Sequence, residues 1–502
     1  MRRCGMEEMG AIKEKLQRIG QTQLLDALDA LRAQGDEDAA ARLSDQLSQL
    51  DFDTLAAIRA QFFSSNASRS DETNALPYEL DKLQPAQYVT LEAQNEQRES
   101  GEQEKFVSAG EQLVKQGKVA AVLVAGGQGS RLGFHGPKGA YKVSAARAKP
   151  LFQLFAEQLL AVMKKHNAVV PWYVMTSSAN DEATRSFFKE HQYFGLDPDN
   201  VVFFVQGQLP AWDFSGRLIR ERKDSLFMAP DGHGGCLKAL KVSGALDDMK
   251  RRGIEHVSYF QVDNPLVSIV DIEFLGRHVI KGSEIACRVL RKRDAKEGLG
   301  NFCIYEDKLM IIEYSDLPDE LANKRVAGGD ELMFSAGSPS IMIFQLAFVE
   351  RLLSDDSELS LPFHEARKKI PYVDEDGNRV DEPAEKNGCK FEMFVFDALP
   401  AAKSTLLVEA PRDTSFAPVK NPEGADSPDS CRAYMMNMHA SWLEACGIQV
   451  PKKDDGQSVD CVIEISSLLA TSAAELQVAI DKGLAKAEIP RELERGRTYY
   501  FE

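Results

Sequence analysis

The sequence predicts an α/β fold: a central, mainly parallel sheet, preceded by a helical N-terminal region and followed by a small C-terminal lobe. Three observations carry this expectation. Val119-Ala-Ala-Val-Leu-Val124 is an unbroken apolar run closed by glycines, the pattern of a strand buried on both faces. From about residue 106 to 280, further apolar runs alternate with amphipathic helices, and the order βαβαβ implies parallel strands joined by right-handed crossovers. The first hundred residues are instead polar and helix-periodic, with Leu24, Leu25, Leu28 and Leu31 at helical spacing.

Taken in order, the helical pattern recurs from Glu37 to Ala60, and Asn66 to Asn74 reads as a polar linker. After the Val119 strand, Leu151, Leu154, Phe155, Leu159, Val162 and Met163 mark an amphipathic helix. Trp172 to Thr176 is a strand, Asp181 to His191 a helix with Asn180 as its cap, and Val201 to Val205 the next strand. His256 to Asn264 closes this half of the sheet. Residues 285 to 346 return to strands, with Ile304 to Ile312 forming a hairpin over Glu306-Asp307. A long helix from about Asp429 to Cys446 stops at Gly447, and the one clear strand of the C-terminal lobe is Cys461 to Ile465.

At 502 residues and 43% hydrophobic content the chain buries a large core and divides into two or three domains. The expected bounds are a helical domain at 1–100, a catalytic domain at 101–447 and the lobe at 448–502. A formal charge of −17 argues against a general binder of nucleic acid or anionic membrane. No apolar run reaches 18 residues, and Met1-Arg-Arg-Cys-Gly5 is followed by no hydrophobic segment, so a soluble, cytoplasmic protein is expected, as a monomer or weak homo-oligomer. The eight cysteines form no C-x-x-C pair and read as buried free thiols, and the eight histidines form no metal-binding cluster, so no zinc site is implied.

The segment Ala125-Gly-Gly-Gln-Gly-Ser-Arg-Leu-Gly133, closed by Pro137-Lys138-Gly139, is the part of the chain built for an anion. Four glycines within eight residues let the backbone take positive φ, approach a ligand closely and turn its N–H groups toward it. Arg131 and Lys138 add fixed charge. Between Gln112 and Ala156 there are seven Lys or Arg and no Asp or Glu, a basic block in an acidic protein, which points to a polyanionic ligand. The spacing is neither that of a P-loop nor that of a dinucleotide-binding loop: no G-x-x-x-x-G-K-S/T string occurs, and Gly127, Gly129 and Gly133 depart from G-x-G-x-x-G. Ligands of parallel sheets bind at the carboxyl ends of the strands, which places Gly126 to Gly133, Gln206 and Asp263 on one rim. There Asp263 is a suitable Mg²⁺ ligand, since that ion is held by one or two carboxylates plus phosphate oxygens and water. Gln206 has an amide that both donates and accepts, suited to a neutral hydrogen-bonding ligand edge.

The loop, together with Gln206-Gly207, Met228-Ala-Pro-Asp-Gly-His-Gly-Gly235, Val262-Asp-Asn264, Ile312-Glu-Tyr-Ser315, Phe394-Val-Phe-Asp397 and Phe416-Ala-Pro-Val-Lys-Asn421, resembles the motif series of the UDP-N-acetylhexosamine and UDP-sugar pyrophosphorylases. The resemblance implies a Rossmann-like nucleotidyltransferase sheet and a Mg²⁺-dependent uridylyltransferase that joins UTP to a sugar 1-phosphate. It implies catalytic roles for Arg131, Lys138 and Lys420 and a metal-binding role for Asp263. Nucleotide contacts fall to Ala125, Gly126, Gly127, Gln206 and Gly232, and the sugar side to His233, Glu313, Ser338, Phe394 and Phe396. Two departures bear on the sugar. The family's N-acetylhexosamine enzymes carry Gly-Asn-Gly-Gly and Asn-Ala-Gly-Asn, where this chain has Gly232-His-Gly-Gly235 and Ser335-Ala-Gly-Ser338. The alternatives are a UDP-glucose or broad UDP-sugar pyrophosphorylase and, in another class, a catalytically silent nucleotide-sugar-binding regulator.

Overall fold

The computed structural model describes residues 6–63, 78–354, 361–374 and 377–502. The expected linker Asn66 to Asn74 and Cys4 lie outside them. The chain forms two compact units, one of Met1–Ala75, Gly207–Gly235 and Leu361–Val395, the other of Leu76–Gln206, Cys236–Ser360 and Phe396–Glu502.

In the first unit, helices Met6–Arg18, Gln23–Ala33, Glu37–Ser48 and Phe52–Phe62 bury the leucine face that the periodicity marks, including Leu24, Leu28 and Leu31. Asp36 and Asp51 cap the third and fourth helices through backbone N–H groups three residues on. The leucines share one core with Trp212, Leu218, Cys389 and Phe391. Those residues come from segments far along the chain, where Trp212–Asp213, Gly388–Glu392 and His364–Lys368 form a three-stranded sheet.

The second unit contains the eleven-stranded sheet. Across it run, in order, Gln84–Pro85, Gly300–Tyr305, Ala336–Ser338, Ile285–Arg291, Met342–Gln345, His256–Gln261, Val119–Val124, Trp172–Thr176 and Val201–Val205. The last four are parallel, as the apolar runs predict, while Met342–Gln345 lies antiparallel between His256–Gln261 and Ile285–Arg291. The sheet is therefore mixed and mainly parallel in the half that carries the loop. Val119, Ala120, Ala121 and Leu123 are wholly buried, as a strand covered on both faces requires. The hairpin turns at Glu306 and Asp307, both at positive φ, 48° and 62°. Residues from 80 to 115, expected as part of a helical domain as far as 100, belong to this unit, and Gln84–Pro85 pairs at its sheet edge. At the C-terminal end, helix Pro428–Ala445 packs with strands Val462–Ile465 and Thr498–Phe501 and helix Ala473–Asp481 around a separate small core.

Among the described residues seven cysteines form no disulfide, all buried except the partly exposed Cys446. No described helix is long and apolar enough to cross a membrane.

Candidate functional site

The parallel strands deliver Ala125, Ser177, Gln206 and Asp263 to one rim of the larger unit, each within two residues of a strand's carboxyl end. The loop after Val124 is tied down on itself: Gly129 N–H donates to Gly136 O at 3.0 Å and Lys138 N–H to Gly127 O at 3.1 Å. That closure leaves the N–H groups of Gly126, Gly127 and Gln128 without an acceptor among the described residues. Successive unspent amides of this kind form an anion-binding concavity. Of the four glycines, only Gly133 is left-handed, at φ 67°; a Cβ on Gly126 would lie 2.8 Å from Gln206 Oε1, so a side chain there would displace the Gln206 amide. The Gln206 side chain, itself buried, thus lies across Gly126.

Asn180 has a different role from the helix cap that its position predicts. Its side chain makes no cap bond to the helix Asp181–Glu190. Instead its Nδ2 donates to Ala125 O at 2.9 Å and Gly127 O at 3.2 Å, while its Oδ1 accepts from Ser177 N–H at 2.8 Å. Ser177 Oγ donates to Gly126 O at 2.7 Å. Three successive loop carbonyls are therefore fixed by two side chains that sequence reasoning missed. The readable signal was their place just after a parallel strand, where ligand-site residues collect.

Lys138 and Asp263 face each other at 3.9 Å, with side chains 16% and 15% exposed. Desolvation pushes the Lys138 pKa down; Asp263 opposes this, and Lys420 and Arg131 reinforce it. Three cations thus act on one another beside a single carboxylate, an arrangement that a bound polyanion relieves. Lys420 reaches this neighbourhood because Val419 N–H donates to Asp263 O at 2.8 Å, docking the Pro418-Val-Lys-Asn421 turn on the strand end. Asn264 adds a second tie, donating to Ser415 O at 2.8 Å and accepting from Ala417 N–H at 3.0 Å. Arg131 is exposed on the turn Ser130–Leu132 and has no ion-pair partner among the described residues.

The Asp263 carboxylate accepts no hydrogen bond from the described residues, and no group of three or more His, Cys, Asp or Glu among them is placed to hold a metal. One carboxylate, paired with Lys138 at 3.9 Å but accepting no hydrogen bond, beside a candidate phosphate loop fits Mg²⁺, which keeps several waters and phosphate oxygens, and does not fit a structural zinc.

On the antiparallel side of the same unit, Gly300 pairs with Ser338, and a Cβ on Gly300 would lie 3.6 Å from Glu313 Oε1. Ser338 and Glu313 therefore flank Gly300; Ser338, Ser335 and Phe396 are buried and Glu313 is partly exposed. Gly232, His233 and Phe394 belong to the other unit and form their own cluster. The loop 231–235 lies against Met393, with Gly234 N–H donating to Met393 O and Met393 N–H to Asp231 O, both at 2.8 Å. A Cβ on Gly232 would come within 2.4 Å of Met393 O, so only glycine fits. Phe394 stacks on His233 at 5.2 Å and on His364 at 4.4 Å. Desolvation, aided by His364, pushes the His233 pKa down to about 4, so its imidazole is neutral. Its Nδ1 accepts the Val395 N–H at 3.2 Å, which assigns the ring proton to Nε2.

Residues 60–466 match the family described as UTP–glucose-1-phosphate uridylyltransferase. The chain is 35% identical over 493 residues to the UDP-N-acetylhexosamine pyrophosphorylase-like protein 1 of Mus musculus, covering 94% of this chain and 95% of that one. It is 36% identical over 421 residues to the UDP-N-acetylglucosamine pyrophosphorylase of Saccharomyces cerevisiae, covering 82% and 84%. The fold is shared with the uridine diphosphate N-acetylglucosamine pyrophosphorylase of Trypanosoma brucei, at a TM-score of 0.76 and 24% identity over 99% of both chains.

Proposed function

This chain belongs to the UTP–glucose-1-phosphate uridylyltransferase family, and on that premise we propose that it transfers the uridylyl group of UTP to N-acetylglucosamine or N-acetylgalactosamine 1-phosphate, reversibly releasing pyrophosphate. The observation that carries the reading is the Val419 to Asp263 hydrogen bond. It brings Lys420, from a turn remote in sequence, to the rim that holds Lys138, Asp263 and the glycine loop.

The attacking oxygen is already an anion on the sugar 1-phosphate, so the reaction needs no protein nucleophile. The protein's work is to hold two polyanions in line against their repulsion and to offset charge on the departing pyrophosphate. The open amides of Gly126, Gly127 and Gln128, with Arg131 and Lys138, grip the triphosphate. Lys420 holds the sugar 1-phosphate or the transferred phosphorus from the other side. Gln206 reads the imide edge of uracil, with the Ala125–Gly126 backbone completing the uridine contacts of the larger unit. The Ala125 N–H is bonded to Met175 O at 2.8 Å and its carbonyl already accepts Asn180 Nδ2 at 2.9 Å, so Ala125 can meet the uridine only through the second lone pair of that carbonyl. Mg²⁺, which Asp263 would hold, supplies neutralisation of phosphate charge.

On the sugar side of the larger unit, Glu313 and Ser338 address hydroxyl and acetamido groups, and Phe396 supplies apolar surface. His233 replaces the amide of the N-acetylhexosamine pattern, and with Nδ1 engaged by Val395 it presents a donor only. This departure favours a second reading, a UDP-glucose or broad UDP-sugar pyrophosphorylase. Both readings are tested by pyrophosphate release from the four common nucleoside triphosphates crossed with a panel of sugar 1-phosphates. The first requires turnover confined to UTP and highest with an N-acetylhexosamine 1-phosphate. No release with any pair refutes both in favour of a silent binder.

A further inference from the structure

The segment that follows Lys138 leaves the phosphate loop and returns to it as one closed excursion. Tyr141 N–H donates to Lys138 O at 3.0 Å, Leu151 N–H to Tyr141 O at 3.1 Å and Val143 N–H to Lys149 O at 3.0 Å. Its tip is held by the C-terminal lobe. There Val462–Ile465 pairs in parallel with Thr498–Phe501, with Glu464 opposite Tyr500, which puts the two side chains on the same face. One Glu464 oxygen accepts the N–H groups of Ala146 and Arg147 at 2.9 and 2.8 Å, and the other lies 3.6 Å from Lys149 Nζ. The Tyr500 ring faces the cations of the same loop, Arg147 at 4.4 Å and Lys149 at 4.9 Å. Lys149 donates to Glu157 at 2.7 Å, and Ser466 of the lobe donates to that carboxylate at 3.1 Å.

Lys149, Glu157 and Glu464 are 5%, 6% and 2% exposed. Apolar residues of similar volume would fill such a site at a lower desolvation cost, so a buried set of paired charges is better explained by the one geometry it imposes than by stability. The geometry imposed here is that of residues 141–151, which are tied to Lys138 O through the Tyr141 N–H.

We propose that Glu464, with Tyr500, is a positioning element for the transfer reaction: the C-terminal lobe holds residues 141–151 so that Lys138 stays aligned on the phosphates. The proposal rests on the uridylyl-transfer reading. Its test uses the full-length chain, with Glu464→Ala made alone and together with Lys138→Ala, and reads kcat/KM for UTP in pyrophosphate release. Glu464→Ala is expected to lower it by about tenfold or more, as misplacement of a gripping group does. Glu464→Gln, which keeps an oxygen for both N–H groups, should return it to within about threefold of the wild type. In the Lys138→Ala background, Glu464→Ala should change it by less than about twofold, because both act through one cation. Wild-type rates in Glu464→Ala, or an equal loss in both backgrounds, would overturn the proposal. Should Glu464→Ala fail to fold, Tyr500→Leu, which strands no charge, carries the same comparison. A wild-type chain that binds UTP in calorimetry but releases no pyrophosphate refutes the transfer reading and not the clamp, which UTP affinity across the same variants then decides.

Discussion

Replacing Lys138 by methionine keeps most of its stem and removes only the charge. A phosphate charge held at about the distance of the Asp263 carboxylate, 3.9 Å, gains about 4 kcal/mol from the ammonium at an effective dielectric near 20. Only the part that grows as pyrophosphate departs appears in kcat, while kcat/KM also registers the part already present in the ground state, and removing one such preorganised donor typically costs about 10²- to 10³-fold in kcat. The expected result for Lys138→Met is therefore a loss of at least about a hundredfold in kcat/KM for UTP, read by continuous pyrophosphate release. The pH profile gives a second reading of the same charge. Desolvation, with Lys420 and Arg131, lowers the Lys138 pKa against the pull of Asp263, so the free protein loses this cation below the ordinary lysine range as pH rises. The alkaline limb of kcat/KM should reflect that loss, whereas the limb of kcat should lie higher, because bound phosphate restores the charge. Lys138→Met should lack the limb. A loss under tenfold in a folded variant, or an unchanged alkaline limb, would refute this account of Lys138.

Asp263→Asn should abolish turnover at saturating Mg²⁺ while circular dichroism stays native, since the loss removes the carboxylate assigned to the ion; near-normal kcat would withdraw that assignment. Gln206→Ala should lower the preference for UTP over the other triphosphates, and an equal effect on all four would remove Gln206 from base recognition. Acid stability follows from buried imidazoles. Desolvation holds the pKa of His278 down to about 3 and that of His439 down to about 4, so both fold as neutral groups. Each leaves the fold unpenalised above the unfolded value near 6.5 and costs about 1.4 kcal/mol per pH unit below it, until its folded pKa is reached. Urea midpoints should accordingly fall steeply between pH 6.5 and about 4, and a flat profile there would show that these rings titrate normally.

Much of the larger unit was legible because its strands are short apolar runs with clear stops. Val119–Val124, Trp172–Thr176 and Val201–Val205 end where the sequence places them, and the strand-end rule then collects Gln206, Asp263 and the glycine loop. What escaped the sequence is long-range pairing. Nothing in Trp212-Asp213 announces that it will pair with Gly388-Cys389, and that pairing builds the smaller unit from three separated segments. Thr498-Tyr-Tyr-Phe501 has strong strand propensity, yet its partner, Val462–Ile465, was needed to see that Glu464 and Tyr500 share a face. Asn180 was misread because asparagine is a favoured helix N-cap, whereas here the Oδ1 that would cap accepts the Ser177 N–H and the Nδ2 serves the carbonyls of Ala125 and Gly127.

The most direct test of the substrate assignment is the ratio of kcat/KM for N-acetylglucosamine 1-phosphate to that for glucose 1-phosphate, with UTP as donor. A site built to hydrogen-bond an acetamido group leaves buried polar atoms unpaired when glucose 1-phosphate occupies it, which rejects the smaller sugar strongly. Burying the acetyl methyl adds roughly 1 kcal/mol. The account predicts a ratio well above one despite His233 and Ser338 standing where the N-acetylhexosamine pattern has asparagine. A ratio favouring glucose 1-phosphate by about tenfold or more, equivalent to 1.4 kcal/mol in the opposite direction, would contradict it and assign the chain to the general UDP-sugar pyrophosphorylases.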